Sequence, residues 1–407
     1  MMLTATTHKA MAESGTTPVT APVVIAGGGF GGLYTALALA GRRSPPPILL
    51  IDPNDRFLFL PLLYELLSGE LRSWEIAPRY DALLAGKGVA WLQDRVVRID
   101  ADNDLIHTAT GRQLAFSRLV LATGAQPNSF GVPGVAEHCF GFRTLADVER
   151  LQSLVQRLRE RARPLQRLAV VGAGATGVEL ACKLADLLEG DAIVELIEQG
   201  PGLLPVAKAF NREQADQALR RRDVRLRTQT QVEAVQPGRV DLKGPGGPEQ
   251  LGVEAVIWTA GISFRPPELQ PAAPADRRGR LLCQNTLQLL NHPHIFALGD
   301  IAHVAMEEPG GTANALPANA QVAFQQAECL AANLMLSLAG ARLEPFQFKD
   351  LGEMMSLGAG EASLTGAGFT LAGAAAFQIR KLAYLTRLPG RAHQLKVAAG
   401  WLADWPR

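Results

Sequence analysis

Short apolar runs that end in glycines or in an acid punctuate the first 330 positions. Val23–Ala26, the ILLID of 48–52, Leu119–Ala122, Leu168–Val171, the AIVELIE of 192–198 and the segment from His294 into Gly299 all have this form. Uninterrupted apolar runs bounded by turn signals suit strands buried on both faces, as in a parallel sheet. After two of them the period lengthens to that of a helix. In the second, Val178, Leu180, Ala181, Leu184, Leu187 and Leu188 are apolar, which marks one buried helix face. Strand, glycine turn, helix and strand therefore occur in that order twice, which predicts an α/β fold with two Rossmann-like domains.

The turns carry the chemistry. Gly27, Gly29 and Gly32 form one GxGxxG and Gly172, Gly174 and Gly177 another. The first glycine permits the sharp turn, the second lets backbone approach a pyrophosphate, and the third lets the helix pack on the strand. An acid follows each at the spacing used to hold a ribose: Asp52 lies 52 − 32 = 20 residues after the first set, and Glu198 lies 198 − 177 = 21 after the second. Two complete fingerprints imply two dinucleotides, most economically a resident FAD and an exchangeable NADH or NADPH. LVLATGAQP, with Thr123 and Gly124, and HIFALGDIA, with Gly299 and Asp300, read as further strand–turn units passing close to the flavin. Glu198 at the ribose position opposes a 2′-phosphate and points toward NADH.

Composition narrows the class. The 407 residues suffice for two or three domains, 47% apolar against 19% charged excludes a disordered chain, and 40 − 39 = +1 gives no electrostatic case for nucleic acid. The four cysteines (Cys139, Cys182, Cys283, Cys329) form no CxxC, and the seven histidines no HxxxH, so no zinc or other metal site and no active dithiol is expected. Residues 22–41 are uncharged, but five glycines in six positions suit a phosphate-cradling turn and not a membrane span.

These motifs resemble the two-dinucleotide-binding flavoproteins, and within them the type II NAD(P)H:quinone oxidoreductases (type II NADH dehydrogenases), over about residues 22–405. The distinctive pieces are RFLFLPLLYELLSGEL (56–71), GAGATGVEL, WTAGI with Gly261, and AQVAFQQ (320–326). The resemblance implies that Pro61, Leu62 and Tyr64 lie against the flavin and that Glu179 lies between nicotinamide and quinone. It also implies that Gln321 and Gln325, on one face of a helix, line the quinone access. GGGFGGLYTAL, SWEIAP, GFRTLADVE, LGEMMSLG and RKLAYLTRLP with HQLKVAAGWL are similar to the cyanobacterial and plastid demethylphylloquinone dehydrogenase branch, which is associated with NADPH. Leu351 stands where many respiratory members carry a lysine. The implied activity is hydride transfer from NAD(P)H to FAD, then two electrons to a membrane naphthoquinone. Respiratory use of plastoquinone or ubiquinone, a soluble ferredoxin or rubredoxin reductase, and a flavin-bearing NAD(P)H sensor are the alternative readings.

Residues 377–407 carry six bases and one acid, 6 − 1 = +5, interleaved with Phe377, Leu382, Tyr384, Leu385, Leu388, Leu395, Val397, Trp401, Leu402 and Trp405. Two short amphipathic helices broken at Pro389-Gly390 would attach to an anionic membrane surface without spanning it. The expected map is a disordered tail (1–21), an FAD domain (22–143 and 263–330), an inserted NAD(P)H domain (144–262) and a C-terminal membrane-associating segment (331–407). Peripheral attachment at the cytoplasmic membrane face is expected, and a homodimer is one admissible assembly.

Overall fold

A computed structural model describes residues 21–161, 163, 165–306 and 314–403. The tail at 1–20, Pro164 as a crossing point, and Asp404, Trp405 and Arg407 lie outside the described residues. Val23–Ala26 is the centre of a parallel sheet: Val23 registers with Ile48 of strand Ile48–Asp52 on one side and with Arg118 of strand Arg118–Leu121 on the other. Val89–Gln93 and His292–Ala297 extend that parallel arrangement outward. Val23, Val24 and Ile25 have no exposed surface, which is why this stretch shows no alternation. Helix Phe30–Ala40 covers one face and packs on the long helix Ala320–Leu338. Helix thus begins within the glycine run, at Phe30, and 22–41 is a strand, a turn and a helix. Among the described residues no helix is long and apolar enough to cross a membrane.

A second parallel sheet is ordered 225–227, 193–197, 167–171, 255–258 and 139–140, with Leu168 opposite both Val194 and Ala255. All of its strands fall within 139–258. The chain enters and leaves through a two-stranded crossing in which Gln126-Pro127 pairs antiparallel with Ile262-Ser263. Strand 193–197 holds one residue that its periodicity does not explain. Glu195 has no exposed surface and is ringed by Arg227 at 2.8 Å, Arg225 at 3.5 Å and Arg167 at 3.6 Å, cations that make a buried carboxylate tolerable.

The third unit is the antiparallel hairpin sheet Glu353–Ser356, Ala362–Gly366 and Phe369–Gly373, followed by helices Ala374–Leu385 and Arg391–Ala403. Phe377, Tyr384, Leu388 and Val397, four of the apolar residues read as lipid-facing, are buried in the protein itself. The helices dock on the body: Trp401 Nε1 donates to Glu75 Oε1 at 2.8 Å, and His393 Nε2 lies 2.9 Å from the Glu75 carbonyl oxygen. Ile379, Leu382, Leu395 and Leu402 remain exposed.

Candidate active site

The two fingerprint turns are near copies. Gly27 and Gly172 take φ of +104° and +102°, the left-handed region in which a side chain is strained. A Cβ on Gly32 would overlap the Gly27 carbonyl oxygen, and one on Gly177 would overlap that of Gly172. Gly29 and Gly174 cap helices Phe30–Ala40 and Ala175–Leu188, and a Cβ on either would meet nothing within 4 Å. Each helix N-terminus therefore opens onto free space, with unpaired N–H groups directed at it, as a pyrophosphate requires. The acids close both turns. Asp52 Oδ2 accepts the Gly28 N–H at 2.6 Å and Oδ1 that of Asn54 at 2.8 Å. Glu198 Oε2 accepts the Ala173 N–H at 2.8 Å and Oε1 that of Gly200 at 2.7 Å. Asp52 Oδ1 also accepts Asn54 Nδ2 at 2.9 Å, whereas Asp52 Oδ2 and both Glu198 oxygens keep a second lone pair for a ribose hydroxyl. The Cβ-free cradles, open helix ends and fixed acids fit a dinucleotide in each turn.

Around the first turn, Thr123 and Gly124 follow strand 118–121, with Gly124 in the left-handed region and open space beside it. Gly299 opens the short turn Gly299–Ile301, and its N–H donates to Gln326 Oε1 at 2.7 Å. Burial raises the Asp300 carboxyl above its ordinary range, against the pull of Arg143 and Arg280. Pro61 and Leu62 form the turn that leads into helix Leu63–Leu67, which carries Tyr64. Gly261, at φ +71°, lies beneath the exposed ring of Phe130.

Glu179, on helix Ala175–Leu188, lies in a buried polar cluster drawn from four elements. Its Oε1 accepts the Ser356 N–H at 2.7 Å, and it shares a side-chain hydrogen bond with Tyr64, which also bonds Thr176. Arg380 Nη2 stands 4.0 Å from Glu179 Oε1, but Nη1 donates to Glu65 Oε1 at 2.5 Å and Nη2 to the Pro61 carbonyl at 2.6 Å. Burial pushes the Glu179 carboxyl up to about 7, although Arg380, the Ser356 N–H and Tyr64 favour its ionised form. A carboxyl that exchanges its proton near neutral pH is suited to acid–base work.

Gln321 and Gln325 share a helix face, and each ties one amide N–H and its oxygen to neighbouring backbone. Gln321 Nε2 donates to the Gly352 carbonyl at 3.0 Å and its Oε1 accepts the Leu351 N–H at 2.9 Å. Gln325 Nε2 donates to the Lys349 carbonyl at 2.9 Å and its Oε1 accepts that residue's N–H at 3.0 Å. Both side chains pin the 349–352 backbone, whose unpaired peptide groups are the stronger local demand. Arg380, read as a membrane-facing base, is 1% exposed and internal. The sequence reading also missed Gln326, Glu65 and Tyr80, whose hydroxyl donates to the Gly28 carbonyl at 2.8 Å. The signal for Tyr80 was absent, since nothing local links it to a turn 52 residues earlier. Burial holds the Cys139, Cys182 and Cys283 thiols up at about 12, so none is a thiolate at neutral pH. Among the described residues no group of metal-ligating side chains occurs.

A parallel sheet with a glycine turn and a fixed acid, present twice, defines a two-dinucleotide oxidoreductase. Residues 21–327 match the pyridine nucleotide-disulphide oxidoreductase family, and the chain belongs to it. It is 39% identical to the demethylphylloquinone reductase NdbB of Synechocystis sp., over 94% of this chain and 97% of that one. It is 36% identical to the alternative NAD(P)H-ubiquinone oxidoreductase C1, chloroplastic/mitochondrial, of Arabidopsis thaliana, over 94% and 80%. The fold is that of NDH2 from Plasmodium falciparum, solved in complex with NADH. The TM-score is 0.83 at 17% identity, covering 95% of this chain and 98% of that one.

Proposed function

We propose that the protein is an FAD-dependent NAD(P)H:quinone oxidoreductase whose quinone is a membrane naphthoquinone of the demethylphylloquinone type. The observation that carries this reading is the duplicated turn together with a buried, titratable Glu179 beside it, in a chain that spans nearly the whole of a demethylphylloquinone reductase. When bound, the flavin takes hydride from NAD(P)H and passes two electrons to the quinone. The protein's own residues hold and orient the partners. Gly27, Gly29 and Gly32 with Asp52 hold the flavin's adenylate end, and Asp300 and the Thr123-Gly124 and Gly299 turns its ribityl and ring portion. Gly172, Gly174 and Gly177 with Glu198 hold NAD(P)H, and Gly261 borders that site. Pro61, Leu62 and Tyr64 back the ring.

Overall, NAD(P)H, a proton and quinone give NAD(P)⁺ and quinol, so one proton must come from outside the hydride. Glu179 is assigned to hold and supply it. Gln321 and Gln325 act through the 349–352 segment that they pin. Residues 22–143 and 263–330 serve as the flavin domain and 144–262 as the nicotinamide domain, except that strand Cys139–Phe140 pairs in the nicotinamide sheet. Anaerobic NADH or NADPH is expected to bleach the flavin, and a short-chain demethylnaphthoquinone to restore its colour faster than plastoquinone or ubiquinone analogues. A flavin that is bleached but that no quinone reoxidises would overturn the assignment.

Attachment to the membrane surface from the cytoplasmic face is assigned to the exposed Ile379, Leu382, Leu395 and Leu402 with neighbouring bases. Lys381 stands 4.3 Å over the Trp401 ring and Lys396 4.9 Å over Trp74, stacking that holds these bases beside exposed leucines. Deleting residues 377–407 would also remove Arg380 from the interior, so substitution is the better test. Changing Leu382, Leu395 and Leu402 together to Ser is expected to lower partitioning onto anionic vesicles by at least about tenfold, since each leucine buried in the interface contributes about 1.5–3 kcal/mol. Flavin absorbance should be retained. Unchanged partitioning would count against this face.

A further inference from the structure

The cluster around Glu179 holds a second carboxylate, Glu65, that no motif assigns. Both are buried, and one guanidinium, Arg380, stands between them. Its allegiance is unequal: 2.5 Å to Glu65 and 4.0 Å to Glu179, with Nη2 turned to the Pro61 carbonyl at 2.6 Å. The Tyr384 ring, 4.8 Å from the guanidinium carbon, packs against the same arginine. Ser356 divides its groups in the same way, giving its N–H to Glu179 at 2.7 Å and its hydroxyl to Glu65 at 3.3 Å.

The surrounding charges are otherwise accounted for. From its own helix Glu179 is faced by Cys182, and Lys183 one turn on is ion-paired with Glu70. From helix Leu63–Leu67 come Tyr64 and Glu65, from helix Ala374–Leu385 Arg380 and Tyr384, and from strand Glu353–Ser356 Ser356. Of these, Arg380 is the cation placed to neutralise Glu179, and it is engaged elsewhere.

We propose that Glu65 captures Arg380 and withholds it from Glu179, so that Glu179 is the carboxyl of this cluster that takes up and gives up the proton. Glu65 is thus a positioning residue, acting through the arginine on the acid. The inference rests on the assignment of Glu179 made above. Burial's upward push on Glu179 outweighs the pull of Arg380, which stands 4.0 Å away and bonds Glu65 instead.

The test follows the Glu179 proton by two readouts on the flavin-loaded protein: the pH profile of quinol formation, and the infrared carbonyl band of the protonated carboxyl in the oxidised protein. Glu65→Gln frees Arg380 for Glu179 and is expected to move limb and band down by about 1–3 pH units, the effect of an arginine beside a carboxylate. The variant Glu65→Gln/Arg380→Met removes both charges of the pair together, so neither is left buried without the other, which guards against loss of fold. Because the pair acts as a neutral unit, it is expected to leave limb and band near their parent positions. An unmoved limb in folded Glu65→Gln, or an upward move of more than about one unit in the double variant, would overturn the proposal. Glu179→Gln separates the two levels. If it keeps the parent limb and band, the assignment of Glu179 fails. If it abolishes them while Glu65→Gln moves nothing, only the role of Glu65 fails.

Discussion

Gly177→Val is expected to leave the protein yellow and to slow reduction of its flavin by NAD(P)H at least about 100-fold. The third glycine of the second turn has no room for a side chain. A Cβ there would overlap the Gly172 carbonyl oxygen and come within 2.8 Å of Thr259 Oγ1, whose hydroxyl donates to the Val171 carbonyl at 2.8 Å. The helix must move off the strand, carrying its N-terminal N–H groups away from the pyrophosphate. A displacement near 1 Å is enough for a loss of that size. The matching change in the first turn, Gly32→Val, meets the same obstruction at the Gly27 carbonyl and is expected to yield colourless protein instead. Anaerobic stopped-flow bleaching of the purified variants distinguishes the two. Loss of flavin from Gly177→Val, or bleaching at the parent rate, would mean that the turns are not divided between the two dinucleotides.

The two turns were legible in the sequence because everything they need is local. A run of apolar residues, glycines at fixed offsets and an acid at 20 or 21 residues are one strand–turn–helix–strand unit, and the chain writes it twice. The parallel strands follow from the same short-range patterning. The interior of the site was not legible, because its partners are joined only by the fold. Arg380 meets Glu65 across 315 positions, and Ser356 meets Glu179 across 177. In the sequence, Arg380 sits beside Lys381 among interleaved leucines and looks like any membrane-facing base. Only the packing of helix Ala374–Leu385 on strands Ala362–Gly366 and Phe369–Gly373, which brings Arg380 to Glu65, turns one of the pair inward. For the glutamines at 321 and 325, spacing fixes a helix face but not the 349–352 backbone that the face meets.

Glu179→Gln is expected to stabilise the protein in alkaline solution while slowing quinol formation. Its carboxyl has an ordinary value of 4.5 and is held at about 7 in the fold. The unfolded chain therefore binds fewer protons than the native state between those values, and stability falls as pH rises through that window. Above pH 7 the native state carries the full cost of the buried group, about 3 kcal/mol from the 2.5-unit separation. At pH 5 less than about 1 kcal/mol of that cost remains. Glutamine keeps an oxygen for the Ser356 N–H and never ionises, so it removes the cost. Denaturant unfolding of the holoprotein should show a gain approaching 3 kcal/mol at pH 8.5 and little at pH 5. In the same variant, quinol formation should fall by roughly 100-fold with flavin reduction by NAD(P)H retained, the loss expected when a positioned acid is removed. A gain equal at both pH values would show that the improvement comes from packing and that Glu179 is not the titrating group. A site that needs a proton on call near neutral pH thus holds a carboxyl that weakens the fold in the same range.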